Sequence, residues 1–232
     1  MRIEIWSDVV CPWCYIGKRR LESALAEFPH RDEVEIVYRS FELDPEAPQV
    51  GYESIRDSLA NKYGLGEEQV RQMMARVSET AVTEGLRFAY EDAMHTKTVD
   101  AHRLLHLALD QGLQAELKEA LLAAYFTRGE SMGDHDVLRK VAVDVGLDPA
   151  RVDQVLSSDE YADAVQADIA QARAYGANGV PFFVVDQKFG VSGAQPAEVF
   201  AQLLDRAWSE SHPTLTRVGD VTEGDTCGID GC

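Results

Sequence analysis

Arg2 to Trp6 alternates between apolar and polar positions, with Ile3 and Ile5 on one face, which is the period of a half-buried strand. From Pro12 to Phe28 the period changes. Ile16, Leu21, Leu25 and Phe28 recur at helical spacing, and Pro29-His30-Arg31-Asp32 stops the run. Val34, Ile36 and Tyr38 then alternate within 34–41, predicting a second strand. A strand, helix and strand of these lengths predict a right-handed βαβ unit with parallel strands. After a loop holding Pro45 and Pro48, the pattern is helical for more than half the chain, over 52–63, 67–85, 99–111, 115–127, 137–145 and 159–175. Glycine at or just past each apolar run, as at Gly64, Gly112, Gly129, Gly146 and Gly176, is the expected helix stop. Strand chemistry returns at Phe182-Phe183-Val184-Val185. A turn at 186–188 and a second short strand, 189–192, make an antiparallel hairpin, and Pro196 opens a last helix through Trp208.

The order is βαβ, helical block, ββα. It predicts an α/β chain with a discontinuous domain over 1–44 and 176–210, a helical insertion over 45–175, and a flexible polar tail over 211–232. The length of 232 residues and the 45% hydrophobic content suit one large domain or one with an insertion. A net charge of −18 disfavours nucleic acid and anionic membrane surfaces as partners. No stretch approaches a membrane span. Glu4 and Asp8 interrupt any apolar run of secretory-leader length, so a cytoplasmic location is expected.

Four cysteines are too few to staple a chain of this size, and they come as two close pairs, Cys11/Cys14 and Cys227/Cys232. The first pair lies in Cys11-Pro12-Trp13-Cys14, directly after a strand and at the start of a helix. A sulfur placed there faces unpaired N–H groups and the positive end of the helix dipole, which favour thiolate, the form that attacks disulfides. Pro12 suits the first turn, where its missing N–H costs nothing. Half a zinc site and a structural disulfide are the alternatives. Zinc needs four ligands, the other pair is remote, and no histidine follows at ligand spacing, so redox chemistry is the better reading.

Ser7-Asp8-Val9-Val10-Cys11-Pro12-Trp13-Cys14-Tyr15-Ile16-Gly17 resembles the DsbA-type branch of the thioredoxin superfamily, and more narrowly the FrnE-like cytoplasmic dithiol oxidoreductases or isomerases. Gly179-Val180-Pro181-Phe182-Phe183-Val184 and Gly190-Val191-Ser192-Gly193-Ala194-Gln195 carry the match into the hairpin, and Thr98-x-x-Ala101-His102-Arg103-Leu104 resembles the first half of the family's insertion. The resemblance covers nearly all of the chain. It implies a thioredoxin fold with a large helical insertion and a cis bond before Pro181 beside the dithiol. It also implies that Cys11 attacks and Cys14 resolves, with Pro12, Trp13, Val180 and Pro181 as the substrate-facing wall. No organic cofactor is implied. Protein disulfides or thiols are the expected substrates, with glutathione or a thioredoxin-type protein for recycling. The rivals are a glutathione-dependent transferase or isomerase of the kappa and chromene-carboxylate type, which typically has a single Ser or Cys at this place, and a redox-regulated holdase.

Other residues are more open. Trp13 either caps the core or offers unfolded substrate an apolar landing surface. Asp8 reads as a solvated loop residue, with a role in proton transfer as the alternative. His102 reads as a satisfied interior histidine that would reach the dithiol only if the insertion lids the site. Met73 and Met74 read as core filling. His30, His95 and His106 show no ligand pattern. Cys227-Gly228-Ile229-Asp230-Gly231-Cys232 can close into a short loop, and is either a second redox pair or an inert tail.

Overall fold

The computed structural model describes residues 1–91 and 93–213. Cys227 and Cys232, and most of the segment expected to be a flexible tail, lie outside the described residues. Four strands, β1 (Arg2–Ser7), β2 (Glu35–Ser40), β3 (Phe182–Val185) and β4 (Phe189–Ser192), form one sheet in the order β2-β1-β3-β4. β1 runs parallel to β2 and antiparallel to β3, with Ile5 opposite Tyr38 and Phe183. Asp186 and Gln187 take left-handed backbone angles in the β3–β4 turn, and the Lys188 N–H closes it on the Val185 carbonyl.

The alternation in β1 divides the sheet's two faces. Ile3 and Ile5, with Phe183 and Val185, pack against α1 (Pro12–Glu27) and α9 (Ala197–Ser211) through Leu21, Ala24, Phe200 and Leu204. Trp6, Phe182 and Val184 point the other way, towards Ala172 of α8 (Ala162–Ala174). The Trp6 indole N–H donates to the Asp168 carbonyl at 2.7 Å, so the largest side chain on that face is also hydrogen-bonded. This βαβ…ββα sheet with helices on both faces is the thioredoxin arrangement expected from the sequence.

Six more helices stand between β2 and α8. They are α2 (Ile55–Tyr63), α3 (Glu67–Thr83), α4 (Val99–Asp110), α5 (Gln114–Arg128), α6 (His135–Val145) and α7 (Pro149–Leu156). Their core, centred on Leu104, Leu117, Leu121, Tyr125 and Phe126, also takes in Val9, Tyr15 and Ile16. Helix α1 therefore buries one side against the sheet and its first turns against the helices. Tyr15 stacks near Phe88 and Phe126, with ring centres 6.0 Å away in each case. The start of α1 is fixed at the seam between the two cores.

One helix start and one whole helix differ from the periodic reading for reasons the caps supply, besides shifts of up to three residues at the ends of other helices. Helix α2 starts at Ile55, not at Tyr52, because the Ser54 hydroxyl caps it by accepting the Asp57 N–H at 3.1 Å, while Ser54 bridges to Met94. Helix α7 lies where no helix is expected. Its apolar run is only Val152 and Val155, but Asp148 caps it and Pro149 fills its first position, signals that the sequence does carry. Arg103 then explains part of the Ala-His-Arg-Leu motif structurally. Its buried guanidinium donates to the carbonyls of Val155, Ser158 and Glu160 at the end of α7.

Candidate active site

β1 ends at Ser7, and the chain turns into α1 with Cys11 as its N-cap residue in extended conformation. The Cys14 N–H reaches the Cys11 carbonyl at 3.1 Å, which starts the helix and sets the two cysteines one turn apart. Both are free thiols and buried. Cys11 stands at the helix start as expected, and its side chain makes no capping bond to the helix N–H groups. Cys11 Sγ instead lies 3.5 Å from the Val180 carbonyl, as donor to it. The Val180–Pro181 bond is cis, and the fold brings it to the dithiol from 169 residues away in sequence.

Gly17 lets this approach happen. A Cβ on it would sit 3.1 Å from Pro181 Cγ and 3.3 Å from Phe183 Cζ. On the far side of the loop, the Gly193 N–H holds the Pro181 carbonyl at 2.8 Å, and Arg20 of α1 donates to the Ala194 carbonyl at 2.7 Å. Gly17→Val is expected to push α1 from the Val180–Pro181 loop and to lower disulfide turnover about 10²-fold, as misplacement by about 1 Å does elsewhere. Stopped-flow turnover alongside a thermal melt checks this. Unchanged turnover would mean that the contact does not matter.

The two sulfurs have different surroundings. Cys14 faces the interior, where burial pushes its thiol well above the ordinary range. Its hydrogen bond to the Cys11 sulfur and the charge there act in the same direction, and Lys118 opposes them. Lys118, on α5, is fully buried, with its ammonium 3.5 Å from the Ser7 carbonyl and 5.8 Å from the centre of the Tyr38 ring. Burial brings it down to about 8 against the attraction of Cys14, Asp8 and Cys11. Asp8 is the buried counter-charge and not a solvated loop residue. One oxygen accepts the Val9 N–H at 2.7 Å and His102 Nε2–H at 3.2 Å, and the other accepts the Leu43 N–H at 2.8 Å. Burial alone would raise its pKa, but the His102 hydrogen bond and charge, the Leu43 N–H and Lys118 together hold it below the ordinary carboxylate value. His102 is wholly buried and meets Asp8, and its Nδ1 has no partner.

A second charged cluster joins α1 to α5. Glu119 accepts from Arg19, Lys18 and the Tyr15 hydroxyl. Burial works against its charged form, but these donors outweigh that and lower its pKa to about 2. A carboxylate depressed in the fold stabilises fully above its ordinary pKa, and that stability is lost as pH falls. Melting temperature should therefore drop between pH 4.5 and about 2. Glu119→Gln should flatten this slope. An equally steep slope in the variant would assign it to other carboxylates.

Beside Cys11 opens a cavity of ≈ 330 Å³. Val180 and Trp13 bound its sulfur end, and Leu59, Met73 and Val77 of α2 and α3 form apolar walls. Trp13 is 41% exposed at the rim, and so does not cap the core. Met74 is buried as expected, but Met73 is only partly buried and lines this cavity. His95 lines it too, held between Asp44, 3.1 Å from Nε2, and the Ser58 hydroxyl, 2.9 Å from Nδ1. His106 sits against Ser40 and Asp168, and His30 stacks on Trp208. Among the described residues no group of His, Cys, Asp and Glu is arranged to hold a metal ion.

The structure thus brings Cys11, Cys14, Pro12, Trp13, Val180 and Pro181 together, with Asp8 and His102 beneath. Lys118 is the functional candidate that sequence reasoning missed. Its signal was a charge in line with Leu121 and Tyr125 on an otherwise apolar helix face.

A family model described as the DSBA-like thioredoxin domain matches residues 2–205. The crystal structure of a probable DsbA oxidoreductase from Streptomyces coelicolor aligns with a TM-score of 0.87 and 46% identity, covering 100% of this chain and 98% of that one. The uncharacterized protein YwbO of Bacillus subtilis (strain 168) is 25% identical over 206 residues, which span 88% of this chain and 96% of YwbO. The cytosolic disulfide reductase DsbM from Pseudomonas aeruginosa, solved with GSH, shares the fold at a TM-score of 0.63 and 16% identity, over 89% of this chain and 98% of that one.

Proposed function

The chain belongs to the DSBA-like thioredoxin domain family, a family of thiol–disulfide oxidoreductases, and we propose that it exchanges disulfides with polypeptides through Cys11 and Cys14. Cys11, as thiolate, attacks one sulfur of a substrate disulfide. The substrate S–S bond breaks, a mixed disulfide forms at Cys11, and the other substrate sulfur leaves as thiolate. Cys14 then gives up its proton, attacks Cys11, and releases the second substrate thiol. The reverse sequence oxidises a dithiol. When a substrate thiol resolves the mixed disulfide in place of Cys14, the outcome is isomerisation. Val180 and Pro181 form the wall against which the substrate lies, and glutathione or a thioredoxin-type protein restores the starting redox state. We place the protein with the FrnE-like cytoplasmic branch. Among the described residues, no helix is long and apolar enough to cross a membrane.

The observation that carries this reading is the contrast between the sulfurs. Both are buried, but Cys11 borders a cavity and the Val180 carbonyl, while Cys14 is not part of the cavity lining and is held protonated. Reduced protein mixed with a polypeptide disulfide should yield two substrate thiols for each Cys11–Cys14 disulfide formed. Absence of thiol release would remove the reading. A glutathione-dependent transfer to small electrophiles is the second reading, favoured by the cavity beside Cys11 and by DsbM having been solved with GSH. It gives Cys14 no part, so conjugation that survives Cys14→Ala would support it.

A further inference from the structure

We infer that the hydroxyl of Tyr90 donates a hydrogen bond to the Cys11 sulfur once that sulfur has lost its proton, which makes Tyr90 a further catalytic residue of the disulfide exchange. This rests on the reading above that Cys11 reacts as thiolate. As a thiol, Cys11 donates to the Val180 carbonyl at 3.5 Å. A thiolate has no proton to give, so that bond is lost and the carbonyl oxygen then repels the sulfur. The helix does not replace the bond through a side-chain cap, because Cys11 makes none. The charge needs a donor from elsewhere in the fold.

The helical block supplies one. Tyr90 stands between α3 and α4, in the lining of the same ≈ 330 Å³ cavity as Cys11 and Val180. Only 4% of it is exposed, and its ring is held by Phe126, Phe88 and Tyr125, with centres 5.0, 5.6 and 6.2 Å away. A buried tyrosine hydroxyl usually finds a partner, yet this one has none among the described residues. Burial, then the charges of Glu91 and Cys11, push its pKa up to about 12, so the proton stays on the oxygen and is free to be shared. The other polar groups of the lining are less suited. His95 and Ser58 hold each other, Asp44 holds His95, and Asp8 is a carboxylate with its own donors. Lys62 is exposed to water. Behind the sulfur, Lys118 also attracts the Cys11 charge, but shares that attraction with Cys14 and Asp8. The hydroxyls of Thr96 and Thr98 are the rivals in the lining.

Ultraviolet absorbance of the thiolate, corrected by subtracting that of Cys11→Ser, reads the charge on Cys11 without any substrate. At the pH where about a tenth of the parent's Cys11 is thiolate, the fraction in Tyr90→Phe should be about tenfold lower, the weight of one hydrogen bond to a charged group. At a pH high enough to ionise Cys11 in both proteins, the equilibrium with glutathione should shift about tenfold towards the Cys11–Cys14 disulfide, or about 30 mV. Tyr125→Phe removes a partnerless hydroxyl from the same ring cluster but outside the cavity lining, and should change neither quantity. Equal values for Tyr90→Phe and the parent, an equal change in Tyr125→Phe, or the whole change carried instead by Thr96→Val or Thr98→Val, overturns the assignment. A protein that shows the thiolate effect but releases no thiol from a polypeptide disulfide overturns the oxidoreductase reading and supports the Tyr90 bond.

Discussion

Cys11→Ser should lower disulfide turnover about a thousandfold or more, the loss expected when the nucleophile of a covalent mechanism is removed. A serine hydroxyl at this position has no base beside it. The carbonyl that the Cys11 sulfur donates to, that of Val180, cannot take a proton. Cys14 cannot replace Cys11, because burial, which the substitution leaves in place, keeps its proton on, and it does not line the cavity where substrate would arrive. Cys14→Ser should behave differently. Its first attack should survive while intramolecular release is lost, so turnover should depend on the concentration of added dithiothreitol. Equal losses in both variants, each insensitive to dithiothreitol, would show that the two sulfurs do not divide the work this way.

Asp8→Leu should destabilise the fold by about 3–5 kcal/mol, the usual cost of removing one partner from a buried charge pair. The variant breaks the buried pair of Asp8 with His102, leaves the Val9 and Leu43 N–H groups unbonded, and removes the carboxylate charge that attracts the Lys118 ammonium. Asp8→Asn should cost less, because one amide oxygen still accepts. The double variant Asp8→Leu/Lys118→Met should recover part of the loss, since no charge is then stranded. Guanidinium unfolding of the single and double variants reads this out. Strictly additive losses would mean that Asp8 and Lys118 do not interact.

Much of this arrangement is legible in the chain because it is written in local periods. Ile3 and Ile5 set the inner face of β1, the run from Ile16 to Phe28 sets α1, and the cysteines at their junction mark the reactive end. The Val180–Pro181 partner was legible only through family resemblance, since nothing local says that a loop in the last quarter of the chain returns to residue 11. Lys118 and Asp8 were harder still. Each contradicts its own local pattern, a charge on an apolar stripe and a carboxylate in a loop, and only the shared interior, where Asp8 meets His102 and attracts Lys118, makes either sensible. The cavity follows from packing α2 and α3 against the start of α1, which no window of sequence contains. Helix α7 was missed for a plainer reason, because two buried valines give too short a period to count.

Trapping decides the central claim. Cys14→Ser, reduced and mixed with a polypeptide disulfide, should accumulate a covalent adduct of one substrate chain per protein, and digestion followed by mass spectrometry should place it on Cys11. An adduct found on another residue, or none under conditions where the parent protein turns over, would contradict the account.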